Sequence, residues 1–202
     1  MLALALRVCV GGSVWIAIPC ATFIWTARHG TGRTRFTAHG DATNERVHQA
    51  NTMVKRVVGI AVLMWLRCVH VHWEQPISSL LRHVPEIKEF FQYCCANSAR
   101  TYLGPFGAKS IKPVDIFSTS PLVNRLRRQR PWARLSPETQ HMVKLTITTR
   151  KGRGTVQGHK KVMPASAAYP KRCGEEVAQM FEAILVSDKG QTLLTHFFNS
   201  TR

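Results

Sequence analysis

The longest apolar stretch lies at the start of the chain, over residues 2–25 (LALALRVCVGGSVWIAIPCATFIW). Arg7 is its single charged side chain, and it stands near the N-terminal end. A helix of this length, at about 1.5 Å per residue, spans the ~30 Å hydrocarbon layer of a membrane. Trp25 falls where an interfacial aromatic residue is expected. The pattern therefore predicts a transmembrane anchor over residues 1–26.

Three other interpretations of this stretch compete with an anchor. A cleaved secretory signal would need a small-residue cleavage site, and no clear one follows the apolar run. A mitochondrial presequence would be amphipathic and rich in arginine, and this segment is neither. A buried core helix is the third alternative, although apolarity around the whole helix at this length is unusual for one. A retained anchor is the interpretation that the pattern favours.

The residues after the anchor predict its orientation. Residues 27–45 form a basic linker rich in Gly and Thr, in which Arg28, Arg33 and Arg35 precede the first acid, Asp41. These three arginines are the predicted membrane flank. The positive-inside rule then places the C-terminal bulk on the cytosolic side, or on the matrix side of a mitochondrial inner membrane.

A second apolar run covers residues 57–71 and is interrupted by Arg67 and His70. A second span would carry most of the basic residues across the membrane, so a helix lying at the interface or against a partner fits better. This helix is predicted to begin near Asn44 and to end at Gln75-Pro76. Apolar residues at helical spacing then predict further helix over residues 77–103, so that residues 46–103 form a helical region.

The C-terminal half is predicted to contain an irregular basic segment, residues 104–141, and a small α+β region, residues 142–202. In the latter, β-branched residues alternate over 142–149, a basic turn follows, and residues 155–157 begin a return strand of a β-hairpin. After Gly174 an apolar stripe predicts a helix. The predicted fold class is therefore a mainly α membrane-anchored protein with one N-terminal transmembrane helix, further helices and a hairpin-plus-helix region.

The excess of basic over acidic residues indicates what kind of partner the protein binds. The chain has 202 residues, with 28 Lys or Arg against 11 Asp or Glu, and a formal net charge of +17. Such a chain repels itself unless a polyanion or an acidic partner neutralises it. The predicted polyanion or partner contacts surround a tryptophan and the hairpin tip: Arg125, Arg127, Arg128, Arg130, Trp132, Arg134, Arg150, Lys151, Arg153, Lys160 and Lys161.

Signals for catalysis or for a cofactor are weak. Gly152, Gly154 and Gly158 have the wrong spacing for a dinucleotide-binding fingerprint, and no helix start follows them. Cys68, His70 and His72 would share a face on a strand and hold zinc or copper, whereas on the predicted helix they diverge. The six cysteines give no dense disulfide framework, and they are expected to be reduced. The sequence thus predicts no enzyme, no cofactor and no metal site.

Two functions follow from these features. The first is an accessory subunit of a mitochondrial inner-membrane complex, such as a respiratory complex or ATP synthase, that contributes to assembly and contacts other subunits and anionic lipid such as cardiolipin. The alternative is a mitochondrial ribosomal protein whose basic segments bind rRNA. In that case the N-terminal apolar stretch would be a buried helix. A basic hairpin tip suits the alternative, because many ribosomal proteins reach into RNA with such a tip.

Overall fold

The fold is taken from a computed structural model, which describes residue 3 and residues 6–108, 112–129, 146–150, 153–157 and 169–188. For residues 146–150, 153–157 and 188 the backbone alone is described.

Four strands form the central sheet: β1 Ser13–Ile16, β2 His70–Pro76, β3 Asn97–Tyr102 and β4 Pro113–Ser118. Their order across the sheet is β1-β2-β4-β3. β1 lies parallel to β2, whereas β2 with β4 and β4 with β3 are antiparallel. β2 is therefore an interior strand, and residues 71–75 are all buried. β1 and β3 are the two edge strands.

Helix α2, Glu45–Leu66, connects β1 to β2 after the short helix α1, Arg28–Thr31. Adjacent parallel strands require a crossover of this kind. The side chain of Asn44 caps α2 by accepting a 3.0 Å hydrogen bond from the backbone N–H of Arg46. The predicted start of this helix is thus confirmed. Its apolar face packs on the sheet in the same core as residues 71 and 73 of β2.

Helix α3, Pro85–Tyr93, packs on the same face of the sheet as α2. Pro85 occupies the first turn, where its missing N–H costs nothing. Phe90 and Phe91 contact Trp73 of β2, with ring centroids 6.4 and 5.8 Å apart. This aromatic cluster anchors the short helix over the middle of the sheet.

The opposite face is covered by helix α4, Lys171–Asp188, and by a 3₁₀ helix, Pro121–Leu126. Met180 and Ile184 of α4 pack against the apolar residues of β3 and β4. The result is three layers, with α2 and α3 on one face and α4 with residues 121–126 on the other. The predicted helix after Gly174 is confirmed, although it begins at Lys171, three residues before Gly174.

A separate two-stranded sheet contains β5, Thr146–Arg150, and β6, Arg153–Gln157. Ile147 pairs with Val156, and Arg150 pairs with Arg153 next to the turn. The predicted β-hairpin is therefore confirmed, although Arg150 and Arg153, predicted to lie in the turn, belong to the strands. Residues 142–145 of the predicted first strand lie outside the described residues.

The predicted N-terminal transmembrane helix is wrong. Residues 13–16 form β1, which pairs with β2, and Ile16, Ile18 and Phe23 belong to the protein core. Gly11 lies just before β1 with φ of 73°, a conformation that ends regular structure and that glycine adopts freely. None of the described helices has the length and apolarity needed to cross a bilayer.

The predicted fold class, a mainly α membrane-anchored protein, is corrected by the same observations to a mixed sheet with helical layers. The predicted helical region also contains strands. α2 ends at Leu66, Cys68 adopts a positive φ of 57°, and β2 begins at His70. Residues 70–74 (HVHWE) alternate between polar and apolar side chains, and Val71 and Trp73 are residue types that favour a strand. Beyond α3, part of the predicted helix over residues 77–103 is β3, and β4 lies in the segment predicted to be irregular.

Candidate functional site

A basic cleft opens beside the edge strand β3 and has a volume of about 630 Å³. The residues that line it come from four parts of the fold: the 3₁₀ turn Leu81–His83, β3, β4, and the chain after the 3₁₀ helix Pro121–Leu126. They are Arg82, Ser98, Arg100, Tyr102, Asp115, Phe117, Arg127, Arg128 and Gln129. Four of these nine are arginines, so the cleft is an anion-attracting surface.

The register of β3 against β4 creates the cleft. Ser98, Arg100 and Tyr102 alternate along β3 and therefore share one face. Arg100 lies directly opposite Asp115, and Ser98 lies opposite Phe117. On this face the layer formed by α2 and α3 does not cover β3, so Ser98 and Arg100 are exposed.

Asp115 joins two of the arginines. Its Oδ1 accepts a hydrogen bond from Nε of Arg100 at 2.8 Å, and its Oδ2 accepts from Nη2 of Arg100 at 3.3 Å. Nη1 of Arg82 reaches the same Oδ2 at 3.1 Å. The Asp115 side chain is 9% exposed, whereas that of Arg100 is 50% exposed. The carboxylate raises the pKa of Arg100 and fixes both guanidinium groups at the wall of the cleft.

Arg127 and Arg128 form the other wall. Nη2 of Arg127 donates to the backbone carbonyl of Ser98 at 3.1 Å, which holds this exposed side chain across the edge of β3. Arg128 pairs with Glu176 of α4, and its guanidinium lies 5.0 Å from the ring centre of Phe106. Arg128 is thus largely committed to contacts inside the fold, while Arg127 faces solvent.

Two aromatic rings complete the lining. Phe117 stacks on Phe91 of α3, with ring centroids 4.5 Å apart and an angle of 17° between the planes. Tyr102, two residues beyond Arg100 on the same face of β3, is partly exposed. An aromatic ring beside guanidinium groups is the combination that proteins use to hold a base and its phosphate.

The predicted contact residues fall into three groups. Arg127 and Arg128 line the cleft, and Arg125 is exposed on the neighbouring 3₁₀ helix. Arg150 and Arg153 pair across the hairpin, but their side chains are outside the described part of the structure. The remaining predicted contacts lie outside the described residues: Arg130, Trp132, Arg134, Lys151, Lys160 and Lys161.

The three arginines predicted to flank a membrane do not act together. Arg28 lies 4.2 Å from the ring centre of Trp25, and Arg35 is exposed. Arg33 is buried, with its guanidinium 3.9 Å from the ring centre of Phe23, and burial lowers its pKa to about 10. A buried arginine has no contact with lipid head groups, so Arg33 has a structural position in the core.

Of the nine residues that line the cleft, the sequence predicted only Arg127 and Arg128. Those not predicted include the charged and aromatic side chains of Arg82, Arg100, Tyr102 and Asp115. Two of them, Arg100 and Tyr102, stand two positions apart in residues 97–102 (NSARTY), but Asn97 and Thr101 are also polar, so the sequence gives only a weak signal for one exposed face. The helix prediction for this segment placed them around a helix instead of on one face.

A second polar cluster lies on the α4 side of the sheet. Nδ1 of His72 is 2.9 Å from the Ser118 hydroxyl, and Nε2 is 3.3 Å from the Ser13 hydroxyl. The imidazole stacks between Trp15 and Phe181, and burial lowers its pKa to about 3. His72 is therefore neutral and sealed from solvent, so it serves packing.

The structure also tests the alternative in which Cys68, His70 and His72 form a metal site. His70 and His72 do lie on a strand, which is the arrangement that would place them on one face. The described residues nevertheless contain no group of three or more Cys, His, Asp or Glu side chains positioned to hold a metal ion.

Glu74, two residues beyond His72, is a buried carboxyl on the same face of β2. Burial raises its pKa, and the side chain of Tyr169 hydrogen-bonds to it. Glu74 and Tyr169 lie on the α4 side of the sheet and face away from the cleft, since Glu74 and Asp115 are on opposite faces of the sheet.

Comparison of the chain with protein-family models, with curated proteins and with solved structures finds no match.

Proposed function

We propose that the protein binds RNA through the basic cleft and the adjoining basic segments, as a structural component of an organellar ribonucleoprotein such as the mitochondrial ribosome. One observation carries the proposal: Arg82, Arg100 and Arg127 converge on one concave surface of a chain with net charge +17, beside Arg128, which is paired with Glu176. Guanidinium groups bind phosphate oxygens through paired, charge-assisted hydrogen bonds. RNA supplies phosphates in the number that such a charge requires.

The neighbouring segments support the same function. The exposed Arg125 precedes the cleft arginines, and the predicted contacts Arg130 and Arg134 follow them directly in sequence. In the hairpin, Arg150 and Arg153 lie opposite each other at the turn. We propose that these segments extend the electrostatic contact along the RNA backbone, where each phosphate bound releases a counterion.

An accessory subunit of a mitochondrial inner-membrane complex is the competing proposal. Its predicted anchor is wrong, so on this proposal the cleft arginines would meet acidic side chains of a neighbouring subunit. RNA is favoured because Tyr102 and Phe117 lie among the arginines, and aromatic rings stack on bases. The mitochondrial location and the absence of enzymatic activity stay predictions.

The test compares two double variants that remove the same charge. Arg100→Gln with Arg127→Gln neutralises the cleft, and Arg46→Gln with Arg56→Gln neutralises two exposed positions on α2, outside the cleft. RNA affinity is measured by fluorescence anisotropy across a salt series. We expect the cleft variant to lower the slope of log affinity against log salt by about 0.7 for each contact removed. The α2 variant should keep the wild-type slope.

Two results would contradict the proposal. Failure of the wild-type protein to bind RNA at low salt would reject RNA binding altogether, and equal losses in both double variants would reject the cleft as the contact. In cells, co-sedimentation with mitochondrial ribosomes that RNase abolishes supports RNA binding. Detergent-stable comigration with a respiratory complex would instead support the accessory-subunit proposal.

A further inference from the structure

We infer that the cleft is a pocket for one unpaired nucleotide of the RNA, with the phosphate on Arg100 and Arg127 and the base against Tyr102. This inference rests on the proposed function and adds to it a preference for single-stranded over duplex RNA. It also assigns to Asp115 the role of a positioning residue.

The three contacting residues form a row. Arg127 is held over Ser98 by its hydrogen bond to the Ser98 carbonyl, and Arg100 and Tyr102 follow on the same face of β3. Successive residues on one face of a strand are about 6.5–7 Å apart. The row therefore presents two guanidinium groups and then an aromatic ring, and the step of about 6.5–7 Å from Arg100 to Tyr102 is a distance that the phosphate and base of one nucleotide cover.

The shape of the site excludes a duplex from this row. A volume of about 630 Å³ suits a ligand of the size of a nucleotide. In an RNA duplex the bases are stacked and paired inside the helix, so a ring at the wall of a cleft cannot reach a base face. An unpaired nucleotide can turn its base onto Tyr102 while its phosphate remains at the arginines. Duplex RNA would contact the exposed arginines through its backbone alone.

Asp115 makes the pocket more than a basic patch. Its carboxylate holds Arg100 by two hydrogen bonds and Arg82 by one, so both guanidinium groups are oriented before any ligand arrives. Preorganised side chains lose less conformational entropy on binding. The carboxylate also removes one unit of positive charge from the cleft. Orientation and charge therefore make opposite predictions for its removal.

Asp115→Asn separates these two effects. The variant adds one positive charge to the cleft while keeping the size of the side chain. If charge alone binds RNA, affinity rises; if oriented arginines bind an unpaired nucleotide, affinity for single-stranded RNA falls, by about 3- to 10-fold. The control is Glu89→Gln, which neutralises an exposed carboxylate of α3 outside the cleft and should raise affinity slightly or leave it unchanged.

Tyr102→Ala tests the base contact. The probes are a short single-stranded RNA of mixed sequence and the same strand annealed to its complement, both at one fixed salt concentration. We expect Tyr102→Ala to weaken single-stranded binding by about 5- to 100-fold and to leave duplex binding unchanged, while Tyr102→Phe retains wild-type affinity. The matched control is Tyr93→Ala, at a tyrosine of α3 that is 76% exposed.

The outcomes distinguish the two proposals. If Tyr102→Ala changes neither probe, or Asp115→Asn binds single-stranded RNA more tightly, the nucleotide pocket is wrong while RNA binding stands. If the wild-type protein binds neither probe, RNA binding itself is wrong. Thermal denaturation of each variant checks that a loss of affinity comes from a folded protein.

Discussion

β2 and β3 belong to one sheet, yet the same face of the sheet meets opposite surroundings at the two strands. On β2 this face presents Val71 and Trp73, which are buried under α2 and α3. On β3 it presents Arg100 and Tyr102, and the helical layer does not reach them. One row across the sheet contains Trp73, Phe117 and the backbone of Ser98. Along this row the helical layer covers β2 but no longer covers β3.

The comparison shows where a small α/β protein can place polar chemistry. A strand covered on both faces is restricted to side chains that pack, and a polar group there must be paired or neutral, as His72 is. An edge strand with one open face tolerates a row of charges, and its neighbour can supply the counterion. Asp115 lies on β4, between the covered and the open part, and it serves the open part.

The largest effect is expected at the covered strand. Trp73→Ala should lower the free energy of unfolding by about 3–5 kcal/mol, because it empties a site that is 1% exposed and in contact with two phenylalanines. Urea denaturation at neutral pH measures the loss. The control is Phe36→Ala, at a ring that is 98% exposed, for which the change should stay within about 0.5 kcal/mol. Similar losses in both variants would mean that β2 is not the packed centre of the fold.

His72, on the covered strand β2, makes the free energy of unfolding depend on pH. Burial lowers its folded-state pKa to about 3 from an ordinary value near 6.5, so the unfolded chain binds the extra proton first. The contribution of this group is fully present above about pH 6.5 and is lost as the pH falls, by up to about 1.4 kcal/mol per pH unit. Urea denaturation between pH 7 and 4 should therefore show a shallower decline for His72→Gln than for the wild-type protein.

The difference between the two slopes isolates His72 from the other titrating groups of the chain. His48→Gln, at an exposed position of α2, should keep the wild-type slope. Identical slopes for His72→Gln and the wild type would show that the imidazole is not held neutral in the fold.

The smallest effect is expected at the open strand. Arg100→Ala should cost less than about 1 kcal/mol, because the side chain is 50% exposed and Asp115 keeps its contact with Arg82. Urea denaturation at neutral pH measures this change in the free energy of unfolding. A loss above about 2 kcal/mol would make Arg100 a structural residue. The loss of RNA affinity in its variants would then have to be attributed to a changed fold.

Local signals predicted the elements that are fixed by local chemistry. Asn44 before an apolar-periodic run marks the start of α2, the basic turn between β-branched residues marks the hairpin, and the stripe containing Met180 and Ile184 marks α4. In each case the residues that decide the structure are close together in sequence. The alternation of residues 70–74 was equally local, but it was hidden because it directly follows a long helix.

The structure of the N-terminal stretch and of the cleft is decided by contacts between residues far apart in sequence. Apolarity over residues 2–25 has the same appearance whether lipid or the protein core covers it, and only pairing with β2 decides between them. In the cleft, Arg127 and Arg128 were found because they stand in a visible basic run. Asp115 is 33 residues from Arg82 and 15 from Arg100, and the register of β3 against β4 is what joins them.

The parallel pairing of β1 with β2 has a consequence for biosynthesis. The contact between Ser13 and His72 joins residues 59 apart in sequence, with all of α2 between them. The antiparallel strands β3 and β4 are separated only by residues 103–112, and this loop closes at a lower entropic cost. β1 is therefore synthesised before β2 but joins the sheet only after β2 has been synthesised. During that interval β1 has no neighbouring strand and its apolar side chains are exposed, a condition that favours aggregation.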